Sequence, residues 1–209
     1  MAFTRNGYGQ VEPNQLSAQK TGQIYASLPL ASDVDILQNG EFMYYDYKSG
    51  TVTANGVGEP MLVFNEVKLY EPFWQTSYKD FAMIRVGDNY VTSRLATAGY
   101  GDGAETEGDD PTPGHSDWQA GYRMDGIAPR LFKTNVGDIF TTNMVETGAE
   151  ITYSQGDTLK LKKVDKAADK TGNTLVLSKT GNIDALEFVV AKVYTMPDGQ
   201  PGLKLQRIK

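Results

Sequence analysis

The chain has 209 residues, 40% of them hydrophobic and 22% charged, a balance that suits a globular protein with a buried core, since roughly two thirds of the unfolded surface is removed at this size. A net charge of −6 lacks the basic footprint of a nucleic-acid partner. The absence of cysteine excludes disulfides, thiolate metal sites and cysteine nucleophiles, and fits a reducing compartment.

The N-terminus has no apolar leader core, and no run approaches the ~20 residues that span a bilayer. A soluble chain made in a cytoplasm, with no membrane partner, is therefore expected. The 22 glycines and 12 tyrosines favour turns and strands. The expected fold is mainly β, a β-barrel or β-sandwich with an extended N-terminal arm and a long acidic, glycine-rich loop.

Residues 1–31 form the arm. Phe3, Tyr8, Leu16, Ile24, Tyr25 and Leu28 are spaced too irregularly for a helical face or a strand alternation. Gln15-Leu16-Ser17-Ala18-Gln19-Lys20 suits one or two helical turns, with Asn14 as N-cap and Gly22 as terminator. Leu28-Pro29-Leu30 is extended, because the residue before proline is driven out of the helical region. The domain boundary falls near Ser32.

Beyond it the turn punctuation becomes regular. Asn39-Gly40 between Val34-Asp35-Ile36-Leu37 and Phe42-Met43-Tyr44-Tyr45-Asp46-Tyr47 is a hairpin signal. Residues 61–70 read as an interior strand, and residues 81–86 and 90–93 as a pair about Gly87-Asp88-Asn89. Residues 96–129 hold seven glycines, and Asp102, Glu105, Glu107, Asp109 and Asp110 crowd one short stretch; this is the predicted loop insertion. Trp118 and Tyr122 are placed to pin its second half.

Strands resume at 131–132, 139–145, 159–162, 175–177 and 186–194. Leu159 and Leu161 alternate with Lys160 and Lys162, as in a sheet wet on one side. Residues 186–191 are apolar on both faces and so central. Met196-Pro197-Asp198-Gly199 turns the chain into Leu203-Lys204-Leu205 as a closing hairpin. Gly-Asp precedes a strand at Gly137-Asp138, Gly156-Asp157 and Gly87-Asp88; glycine supplies the positive φ and aspartate bonds nearby backbone. The plan is residues 1–31 as arm and 32–209 as one β domain with an insertion at 96–129, the alternative being two small domains, 32–95 and 129–209.

The chemistry-bearing residues have structural readings beside functional ones. His115, the single histidine, has Ser116 and Asp117 beside it, but a catalytic triad converges in space and not in sequence. The acids between Asp102 and Asp110 could collect oxygens around Ca²⁺, although the spacing matches no EF-hand; no metal or cofactor is assigned. Lys160, Lys162, Lys163, Lys166 and Lys170 read as edge protection, or as a contact for an acidic partner. Lysine and Ser/Thr of a P-loop are missing from the glycine-rich stretches. Tyr44, Tyr45, Tyr47, Tyr70, Phe73, Trp74 and Tyr78 read as core, with Phe73-Trp74 as the exposed pair.

At Asn14-Gln15-Leu16-Ser17-Ala18-Gln19-Lys20-Thr21-Gly22-Gln23-Ile24-Tyr25, Phe64-Asn65-Glu66-Val67-Lys68-Leu69-Tyr70 and Gly137-Asp138-Ile139-Phe140-Thr141-Thr142-Asn143, the sequence resembles small virion structural proteins of tailed bacteriophages that decorate or cement the head. The resemblance implies a β unit on the capsid, an N-terminal arm between capsomers and no enzymatic activity. It also implies assembly in the host cytoplasm into a virion, with the major capsid protein or copies of the chain itself as partners. The expected partner contacts are Phe3, Arg5, Tyr8, Leu16, Ile24, Tyr25 and Leu28; no catalytic residue is assigned. The alternatives are a carbohydrate-binding module using Phe73-Trp74, a head-fibre or adhesion base, and a glycosidase with two carboxyl groups ~5–10 Å apart.

Overall fold

The computed structural model describes residues 3, 5, 9–65, 81–86, 89–92, 128–164, 173–196 and 199–209. Along the chain come β1 (Val11–Gln15), α1 (Ser17–Thr21), β2 (Ile24–Tyr25), β3 (Ile36–Gln38), β4 (Phe42–Asp46), β5 (Thr51–Thr53), β6 (Met61–Val63), β7 (Ala82–Val86), β8 (Asn89–Thr92), β9 (Leu131–Phe132), β10 (Ile139–Thr142), β11 (Thr158–Val164), β12 (Thr174–Ser178), β13 (Ile183–Thr195) and β14 (Pro201–Arg207). The fold is mainly β, as the composition predicts, and its principal sheet is antiparallel and strongly curled into a half-barrel.

That sheet has the order β1-β10-β14-β13-β11-β12-β4-β6-β9-β2, with β5 attached to β4; β3-β7-β8 forms a second, three-stranded sheet. Strands from both sides of residues 96–129 share the principal sheet, since β12 pairs with β4 and β6 with β9.

Three phenylalanines show how far the sheet curls. β10 and β4 stand five places apart in the order, which in a flat sheet would separate them by about 24 Å at ~4.8 Å per strand. Yet the rings of Phe140 on β10 and Phe42 on β4 lie 6.3 Å apart. Phe188 on β13 touches both, at 5.5 and 5.6 Å. All three are fully buried. The alternation that supplies them is plain on the long strands: Leu159 and Leu161 point inward on β11, Leu186, Phe188 and Val190 on β13, and Leu203 and Leu205 on β14.

Two Gly-Asp turns are built alike. Gly137 and Gly156 have φ of 96° and 89°, a left-handed conformation that costs other residues roughly 1–2 kcal/mol. In one, the Asp138 carboxylate accepts the Asn135 N–H at 2.9 Å; in the other, Asp157 accepts the Ser154 N–H at 2.7 Å. Each glycine N–H donates to a carbonyl of the partner strand, Arg207 or Val190, whose own N–H returns to the carbonyl of Asp138 or Asp157. The third instance, Gly87-Asp88, lies outside the described residues.

The structure corrects several expectations. β3 and β4 do not form a hairpin about Asn39-Gly40: β3 pairs with β7, and β4 with β5, β6 and β12. Gly40, at φ 93°, instead passes the chain from one sheet to the other. The buried Asn39 side chain bonds the backbone of Asn65, accepting its N–H at 2.7 Å and donating to its carbonyl at 3.0 Å. β11 is not an edge, because β12 and β13 flank it. Asn14 is not a helix cap but a β1 residue that accepts the Thr141 hydroxyl at 2.7 Å. Gly22 does end α1, at φ 71°. β7 pairs with β8 and β13 with β14 as read, except that Asn89, read as a turn residue, opens β8 opposite Val86.

Replacing Phe188 with alanine should cost about 3–5 kcal/mol, because it removes the ring that joins Phe42 and Phe140. Urea unfolding should show a lower midpoint at unchanged slope; a loss below about 1 kcal/mol would mean the half-barrel does not depend on this cluster.

Candidate functional site

The N-terminal segment occupies both ends of the principal sheet. β1 pairs with β10 at one end and β2 with β9 at the other, and only residues 16–23 separate them. A second connection crosses the same seam, because residues 133–138 join β9 to β10. Eight residues containing a helical turn span no more than about 20 Å, so the two ends of the sheet are drawn together.

A polar clasp fastens the two crossings. Asp138 accepts the Ser17 N–H at 3.1 Å and the Ser17 hydroxyl at 2.9 Å. The N-cap position of α1 is Leu16, which offers no side-chain cap, so Asp138 serves a first-turn N–H that a local residue normally satisfies. Asn135 donates from Nδ2 to Ser17 Oγ at 2.7 Å and to Gln23 Oε1 at 3.3 Å, and the Lys133 N–H donates to the Gln23 carbonyl at 3.1 Å. Arg207, 8% exposed, holds the crossing from beneath through the Thr134 carbonyl and an ion pair with Glu59 at 2.5 Å.

The expected partner contacts divide. Phe3 and Leu16 are buried at 4% and 2% exposure in this chain's own core; Phe3 meets Tyr153 edge-on at 5.5 Å and donates its N–H to the Ile151 carbonyl at 3.2 Å. Arg5 is half-buried and donates to the Met144 sulfur. Ile24, Tyr25 and Leu28 are half-buried, packed against the core but open on one side. Tyr8 lies outside the described residues.

The open side continues onto β4. The face of β4 opposite Phe42 runs Met43, Tyr45, and then Tyr47, which is past the strand end and 75% exposed. Tyr25 packs at a tilt on Tyr45, ring centres 5.3 Å apart, and Tyr45 meets Tyr47 edge-on at 5.2 Å. The Tyr45 hydroxyl shares a 2.5 Å hydrogen bond with the Ser27 hydroxyl and accepts the Ser27 N–H at 3.2 Å. An aromatic rim thus stands on the N-terminal segment and β4 together. Tyr44 is on the Phe42 face, with Gly56 packed on it. Phe73, Trp74, Tyr70, Tyr78, His115, Trp118, Tyr122, Lys166, Lys170 and the acids between Asp102 and Asp110 lie outside the described residues.

The lysines of β11 are held by neighbours. Lys160 pairs with Asp184 at 2.7 Å, Lys162 with Glu146, and Lys163 donates to Asn55 at 2.6 Å. Glu146 also accepts the hydroxyls of Ser178 and Thr180. Partial burial works to raise its pKa, but the bonds from Lys162, Ser178 and Thr180 outweigh this and hold it below the usual glutamate range. A carboxylate so stabilised is a poor base, so Ser178 gains no nucleophilic activation from it; the cluster braces β11 and β12 against residue 146. Burial first, then the charges of Glu146 and Asp157, push the Tyr153 hydroxyl up, and it donates to the Glu146 carbonyl at 2.7 Å.

Ser17, Gln23, Asn135, Glu146 and Arg207 were not singled out by sequence reasoning. Only Arg207 left a signal, since the alternation Leu203, Leu205, Arg207 puts it on the inward face. No protein-family model, curated protein or solved structure matches this chain.

Asp138→Ala should destabilise the fold by about 1–3 kcal/mol, having left three donors without their acceptor, whereas Asp157→Ala should cost less because its partner outside the turn is the exposed Lys179 ammonium at 3.0 Å, a surface ion pair worth little. Thermal unfolding of the pair checks this, and equal losses would remove the special role of the clasp. Folding lowers the Glu146 pKa, so its stabilisation is complete above the ordinary glutamate range and is lost as pH falls through the lower folded value. Between about pH 6 and about pH 3, Glu146→Gln should therefore show a shallower decline in urea midpoint than the parent chain.

Proposed function

We propose that this chain is a non-enzymatic structural subunit of a virion, of the head-decorating or cementing kind its sequence resembles. It engages the major capsid protein, copies of itself, or both. The observation that supports this reading is the aromatic rim. The N-terminal segment is anchored by β1 in the sheet and by α1 on Asp138, yet it presents Ile24, Tyr25 and Leu28 beside the exposed Tyr47. Tyrosine is favoured at protein interfaces for its large rigid ring and polar tip, and a ring held by stacking and hydrogen bonds loses little freedom when a partner covers it. The reading keeps Arg5, Ile24, Tyr25 and Leu28 as contacts and reassigns Phe3 and Leu16 to the core.

Removing residues 1–31 would strip β1, α1 and β2 from the sheet, so point substitutions are the sharper probe. Purified chain mixed with phage heads lacking it should co-sediment, and Tyr25→Ala/Tyr47→Ala should weaken that binding roughly tenfold or more while circular dichroism stays unchanged. Failure of the parent chain to co-sediment would sink the virion reading. Unchanged binding by the double variant would move the contact away from the rim. Retention on a polysaccharide matrix that Tyr47→Ala abolishes would favour a carbohydrate-binding surface instead.

A further inference from the structure

We propose that the N-terminal strap, residues 9–25, is exchanged between two copies of this chain, each filling the seam of the other. The inference rests on the assembly reading above and names a second copy as the partner.

Three features carry it. First, the seam that receives the strap is built by residues remote in sequence: β9, β10 and the 133–138 crossing supply the pairing edges, and Asp138 and Asn135 the clasp. Such a seam is formed alike whichever copy supplies the strap. Second, the strap is a complete cassette, carrying two strand pairings, the buried Val11, Leu16 and Ala18, and the clasp residues Ser17 and Gln23. Moving it to a neighbour preserves every one of these contacts, which is the condition for a low-cost swap. Third, the link to the body is slight. Ala26, Ser27 and Pro29 are exposed, and residues 26–28 are held to the body by the Tyr45 hydroxyl on Ser27 and by the half-buried Leu28 side chain against the core. The body begins at Pro29, whose carbonyl accepts the Val52 N–H at 2.8 Å, and its ring holds the exit of the link extended.

Concentration decides between the two states. A strap on a short link competes for its own seam at an effective concentration on the order of millimolar, so a dilute chain closes on itself and a crowded one exchanges. Exchange also reconciles an arm that serves a neighbour with an arm whose apolar residues lie in a core.

The chain has no cysteine, so introduced thiols report cleanly. Gln23 faces Lys133 across the β2–β9 ladder, bonded through the Lys133 N–H, and such hydrogen-bonded pairs have Cα atoms about 5.5 Å apart, within disulfide range. Gln23→Cys/Lys133→Cys, oxidised in dilute solution, should close within one chain and establish that the pair can bridge. The single variants Gln23→Cys and Lys133→Cys are then unfolded together, refolded at about millimolar concentration and oxidised. They should give a two-chain species joined between residues 23 and 133, found by non-reducing gel and peptide mass. No mixed bridge, with the dilute control closed, overturns the exchange. So does light scattering that finds the unsubstituted chain only monomeric at the same concentration, whatever the thiols do. Oligomers without the mixed bridge overturn the exchange but leave the assembly reading; failure to bind phage heads overturns the virion reading but leaves the exchange.

Discussion

A curled sheet whose two ends are paired by one short N-terminal segment is the constraint on which the other features of this protein depend. An open sheet end leaves a row of backbone donors and acceptors without strand partners. Here β1 covers the free side of β10 and β2 that of β9. The distance between those ends is limited by residues 16–23, and also by residues 133–138, which cross the same gap. The phenylalanine cluster can meet across the interior because the sheet is bent that far.

The buried polar groups follow from the same requirement. Asp138 completes a turn of its own, then reaches the helix that spans the seam. Arg207 occupies an inward position that leucine holds at residues 203 and 205, where its guanidinium ties the seam crossing to Glu59. An unpaired group at either place would carry a desolvation penalty, so the pairs matter more for what their loss would cost than for their net gain. The terminal strands are also poor templates for further pairing. Proline at residue 13 removes a donor from β1, and β2 is only two residues long. In the proposed assembly, contacts with other subunits would then fall to side chains on the rim, or to exchange of the whole strap.

The rim shows how one stretch serves two purposes. Tyr25 belongs to the strand that ends the sheet, and its ring packs against Tyr45, which in turn supports the exposed Tyr47. Its position is therefore fixed by the same pairing that draws the sheet ends together. Any partner of the rim would meet a surface already ordered.

Strand positions after residue 128, the inward leucines of β11, the closing β13–β14 hairpin and the Gly-Asp turns were legible in the sequence, because each depends on a two-residue period or on a local turn preference. Asn39-Gly40 misled for the same reason: the turn is local, but which strands pair on either side of it is not. The N-terminal segment was legible only as aperiodic. Its strands are short and its helix is capped by Asp138, more than a hundred residues away, so no pattern within residues 1–31 could announce where it docks. Local chemistry determined the strands and turns. Tertiary structure alone decided the sheet order, the seam and the split of the arm into buried anchors and an outward rim, because those arise from pairings between residues that chain spacing does not relate.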